Sequence, residues 1–155
     1  MSIAGFTVNY ERNVWRANPT LRAALTADLS MAASLLPPAA CRALQGSTPL
    51  YVNQSLAHGD AGNPTQMRHM CYHPRDGAAW LASHRMNTAK AGAIEIYTGR
   101  DYVGPTNREL WGVGGVILHE LSHAFHDKYV VGGFGNAAWK AAYERAAMAR
   151  LYDSG

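Results

Sequence analysis

"GVILHELSHAFHDKYV", residues 115–130, places three histidines and two acids within nine positions of an otherwise apolar segment. On a helix each residue advances by about 100°. His119 and His123 are then one turn and about 40° apart, so both imidazoles project from one face. Two neutral imidazole nitrogens so placed can reach a single Zn²⁺ ion at about 2.0–2.1 Å each. Glu120 falls on the flank of that face, where a carboxylate can take a proton from water polarised by a metal instead of ligating the metal. Ile117, Leu121, Ala124 and Phe125 form the opposite, apolar stripe. The spacing predicts an amphipathic helix with a core side and a chemical side.

The pattern is His-Glu-x-x-His, flanked by uncharged residues and interrupted by no proline. With seven His and five Glu in the sequence, a random shuffle would produce it roughly once in a hundred times. The plain alternative is a helix whose histidines are only solvated or hydrogen-bonded.

Working outward, the helix is expected to run over about 108–129 despite Gly112, Gly114 and Gly115, with a break at "VGGFGN" (131–136) and an Ala-rich helix at 137–152. Upstream, "FTVNY" (6–10), "PLYVNQ" (49–54), "QMRHMCYH" (66–73) and "GAIEIYT" (92–98) read as strands. Helices are expected from Thr20 to about Leu36, over "PAACRAL" and over roughly 77–84; "AHGDAGNPT" (57–65) reads as a loop, and "GRDYVGPTN" as a connection. Without internal repeats or low-complexity linkers, residues 1–155 read as a single α+β domain.

A length of 155 residues suffices for a hydrophobic core, and 48% hydrophobic with 16% charged residues excludes a disordered or fibrous protein. The net charge of +3 is carried by scattered Lys and Arg without a basic run, so no nucleic-acid partner is expected. The longest nearly apolar run, "LWGVGGVIL" (110–118), is too short to span a bilayer. No membrane partner is expected, and no signal peptide is visible. Cys41 and Cys71 could form one disulfide or none.

"VILHELSHAFHD" resembles the active-site helix of zincin metallopeptidases, and more narrowly a group of bacterial and fungal zincin-like proteins carrying HELxHAxHD. The resemblance extends through "CYHPRDGAAWL" and "KAGAIEIYTGRDY" to "AAYERAAMARLYDSG". It implies a twisted mixed sheet packed on the HExxH helix, with "GAIEIYT" as the edge strand that pairs with an extended peptide substrate. It also implies a zinc peptidase in which His119 and His123 ligate Zn²⁺ and Glu120 is the general base. The rival expectation is a non-catalytic zincin-like protein, metal-binding or structural, with an incomplete site. The sequence departs from the group at "GFGNA" (133–137), where Gly-Phe-Asp-Asn-Pro is expected.

Catalytic zinc usually takes three protein ligands. Glu144, on the following helix, is the third ligand that a likeness to thermolysin-like gluzincins suggests, although Lys140 four positions earlier offers it an ion pair. The look-alikes run on past "LYDSG" (151–155), which places their glutamate in an extension and makes this sequence, by comparison, truncated at its C-terminus. His126, about 10 Å along the helix from His119, suits a supporting role with Asp127 better than ligation. His69, Cys71 and His73 share one strand face and form a minor second candidate for metal. Tyr97, Tyr102, Tyr129 and Tyr143 include possible oxyanion stabilisers, while Trp139 and Tyr143 are expected to pack in the core.

Overall fold

A computed structural model describes residues 1–54, 57–60, 63–66 and 70–151. The elements in sequence order are β1 (Ser2–Ile3), β2 (Phe6–Tyr10), α1 (Val14–Ala17), α2 (Leu21–Leu35), α3 (Pro38–Ser47), β3 (Leu50–Val52), β4 (Ala57–Asp60), β5 (Asn63–Gln66), β6 (Met70–Tyr72) and α4 (Ala78–Ser83). Then follow β7 (Ile94–Ile96), α5 (Gly99–Tyr102), α6 (Pro105–Trp111), α7 (Gly115–Tyr129) and α8 (Ala137–Met148). The α+β expectation holds.

The main sheet is mixed, in the order β1-β2-β3-β7-β6, with β2, β3 and β7 parallel and both edge strands antiparallel to their neighbours. Successive strand residues point to opposite faces. Phe6, Val8, Leu50, Val52, Ile94, Ile96, Met70 and Tyr72 share one core cluster with Leu21, Leu25 and Leu29 of α2, Leu44 of α3, and Ile117, Leu121 and Ala124 of α7. The alternate residues Cys71 and Tyr97 meet a smaller cluster with Leu81 and Met86 on the other face. This is a helix layer on a sheet with a thinner second cover.

Four expectations are corrected. Residues 92–98 do not supply the edge: β7 lies between β3 and β6, and β6 is the edge strand. The "IEI" of β7 is buried on both faces, Glu95 included at 0% exposure, and such a strand belongs inside a sheet. The region 57–65 contains the β4–β5 hairpin, not a loop. Residues 99–107 form α5 and the start of α6, not a plain connection. The helix expected over 108–129 is two helices, because Gly112 (φ +65°) and Gly114 (φ +81°) take the left-handed backbone that ends one and begins the next.

Candidate functional site

The start of α7 fixes which way its side chains point. Gly114 donates its N–H to Asp28 Oδ1 at 3.0 Å, and the buried Asp28 carboxylate also accepts from Tyr102 Oη. A Cβ at Gly114 would lie 2.9 Å from Met31 Cγ, so only glycine permits this approach of α7 to α2. From that anchor Val116, Ile117, Leu121 and Ala124 turn inward, while His119 and His123 face out.

On the outward face His119 Nε2 and His123 Nε2 are 3.0 Å apart, with rings perpendicular at 89°. Two nitrogens bound at about 2.0–2.1 Å to one tetrahedral zinc are about 3.3 Å apart. The observed separation is a few tenths of an ångström shorter than that and is also within hydrogen-bond range. Burial, then the neighbouring His119 and His126, push the pKa of His123 below its ordinary value, which favours the neutral, ligating form. Trp111 stands beside His119 at 5.3 Å and Phe134 beside His123 at 6.2 Å, between ring centroids.

Glu120 is turned toward the edge strand, where its Oε2 accepts the Tyr72 N–H at 2.7 Å. Burial pushes its pKa up to about 7, partly offset by that N–H. Two turns on, Asp127 accepts from Tyr72 Oη at 2.7 Å and from the Arg75 N–H at 3.0 Å. The Arg75 guanidinium also donates to the Asp127 carbonyl. Burial alone would raise Asp127, but the bonds from Arg75 and Tyr72 outweigh it and hold the carboxyl below its ordinary value. Tyr72 thus ties both acids of α7 to β6. The sequence reading missed Tyr72 and Arg75, whose partners lie about fifty residues away in the sequence.

The remaining candidates are placed as follows. Glu144 is 55% exposed on α8, with its carboxylate 3.9 Å from the Lys140 ammonium. His126 packs its ring on Trp139 at 4.2 Å, and its buried Nε2 has no hydrogen-bond partner among the described residues. Among the described residues no group of three or more His, Cys, Asp or Glu gathers as a metal cage. Trp139 and Tyr143 are not core residues: they are 57% and 65% exposed, on a helix that buries none of its side chains. Tyr97 bonds with Cys71, Tyr102 with Asp28, and Tyr129 with Ala43 and Ser47.

On the other sheet face His73 Nε2 lies 2.7 Å from Glu95 Oε2, and Glu95 also accepts from Lys90 and from Asn53. Burial raises Glu95, yet the bonds from His73 and Lys90 bring it below its ordinary value. An acid in the middle of the apolar "AIEIY" was the available signal for this network. His69 lies outside the described residues, and Cys41 and Cys71 are both free thiols. Among the described residues no helix is long and apolar enough to cross a membrane.

No protein-family model matches the sequence, and neither does any curated protein or solved structure.

Proposed function

We propose that this protein is a zinc-dependent peptide hydrolase of the zincin type. The observation that carries the reading is the convergence of His119 Nε2 and His123 Nε2 to 3.0 Å on the helix that also carries the buried Glu120. The mixed sheet, with its antiparallel edge strand β6 bonded to the HExxH helix through Tyr72, supports a zincin-like arrangement. His119 and His123 hold the ion. When bound, zinc supplies Lewis acidity that polarises a scissile carbonyl and acidifies water. Glu120 is the general base, taking a proton from the attacking water and returning it to the leaving amine. The Tyr72 N–H fixes Glu120 Oε2. The substrate, on this reading, is a peptide or protein.

A second reading has one observation in its favour. Glu144, the suggested third ligand, sits on the surface with Lys140, and a two-histidine site suits a zincin-like protein that binds metal weakly without catalysis. Hydrolysis of a mixed peptide library, read together with metal content, separates the two. The enzyme reading expects cleavage that falls by about 10²–10⁴-fold in Glu120→Gln while zinc stays bound. Equal cleavage by both proteins contradicts the proposed mechanism. Zinc without cleavage in the wild type selects the non-catalytic reading.

A further inference from the structure

Helix α8 spans 12 residues, and none of its side chains is buried. A helix of that length is marginal in water unless one of its faces packs against something. Its start is held by Asn136, whose Oδ1 accepts the Trp139 N–H at 3.0 Å. Trp139 lays one side of its ring on His126, 4.2 Å between centroids. Beyond that contact Ala138, Ala142, Tyr143, Ala147 and Ala149 are all exposed.

The exposed surface continues past α8 onto the outward face of α7. Rings follow one another from Trp139 through His126 to Phe134, and from Phe134 through His123 and His119 to Trp111, at 4.2–6.2 Å between centroids. Leu110, Trp111, Phe134, Trp139 and Tyr143 are 40–71% exposed. At about 200 Å² for a whole large side chain, they present roughly 600 Å² of apolar surface. That is the upper end of what a monomer shows as its largest patch, about 300–600 Å². The exposed alanines of α8 bring the total near the roughly 800 Å² that each partner contributes to a standard interface.

The surface also matches itself. On the helix Ala138, Ala142 and Ala149 fall on one side, with Trp139 and Arg145 about 60° to either flank of Ala142. Lys140 and Glu144 lie on the opposite side and keep their own ion pair. Trp139 and Arg145 are each three residues, about 4.5 Å, from Ala142. Two α8 helices crossing antiparallel about a two-fold axis at Ala142 therefore set Arg145 of each against Trp139 of the other. With one side of the Trp139 ring on His126, the other side can take a guanidinium in a cation–π pair. Alanines at the crossing let the two backbones approach closely.

We propose that the α8 face is a self-association surface, on which a second copy of this chain packs its own α8 antiparallel about a two-fold axis at Ala142. Phe134, 6.2 Å from His123 between ring centroids, puts one border of the contact beside the dyad. The contact needs no metal and is independent of the zinc reading.

The test is sedimentation equilibrium of the full chain over a series of concentrations. The wild type should show a monomer–dimer equilibrium, and Arg145→Glu should weaken it about tenfold through loss of both cation–π pairs. Ala142→Glu should be monomeric, because two carboxylates would meet on the axis, and Ala142→Lys should be monomeric for the same reason. An equal mixture of these two variants should regain the dimer, which only a contact pairing residue 142 with itself can do. A wild type that stays monomeric overturns the proposal, and its sedimentation with phosphatidylcholine vesicles would then assign the face to a lipid surface. A dimer undiminished in folded Ala142→Glu, or a mixture that stays monomeric, overturns it as well. Thermal melting shows whether the Ala142 variants fold; should they not, the weakening in Arg145→Glu decides.

Discussion

Tyr72 joins the two acids of α7 through two different groups, its N–H on Glu120 and its hydroxyl on Asp127. Burial, then Asp127, raise the phenol's pKa above its ordinary value, so it remains a donor at any working pH. Replacing it by Phe removes the hydroxyl and leaves the N–H in place. Tyr72→Phe is expected to lower unfolding free energy by about 1–3 kcal/mol, measured by urea titration, because Asp127 loses a buried donor. An unchanged midpoint and slope would mean that Arg75 alone satisfies that carboxylate. At this scale the dyad was legible because i and i+4 on a helix are neighbours whatever the fold. Tyr72 was not, because it reaches Glu120 and Asp127 across 48 and 55 positions, and only strand order brings β6 to α7.

At the scale of elements, the sequence yielded β2, α2, α3, β3 and α4 close to their observed bounds, since each shows its own periodicity and stop signals. It failed where the context was tertiary. The glycines before α7 read as weak helix positions, but Asp28 and Met31 of α2 require the tight left-handed turn at Gly114. The "IEI" strand was expected at the edge from the zincin resemblance alone, whereas it lies inside the sheet with its acid paired internally to Lys90 and His73. Helix α8 was read correctly as a helix and wrongly as a core element: propensity makes it helical, and none of its side chains is buried. Glu144→Ala is therefore expected to alter zinc affinity by less than about twofold, since an exposed ion pair contributes little. A collapse of affinity in that variant would show that α8 closes on the dyad and that Glu144 is a ligand.

For the whole molecule, two buried anchors set the response to acid. Glu95 ties β7 to β6 and to Lys90, and Asp127 ties α7 to the turn after β6. Both carboxyls lie below their ordinary values of 4.5 and 3.8 in the folded state. A depressed carboxyl binds fewer protons when folded, so its stabilising share is full above the unfolded value and is lost as pH falls through the folded one. Stability measured by thermal melting should fall steadily below about pH 4.5, and Glu95→Gln should flatten that fall. A melting temperature indifferent to acid in the wild type would contradict this role for the two groups. The central claim, that α7 presents a zinc-binding dyad, is tested most directly by metal content. Mass spectrometry of the purified protein after equilibration with zinc is predicted to find about one ion per molecule in the wild type, and almost none in a folded His119→Ala/His123→Ala variant. Undiminished zinc in that double variant would contradict it.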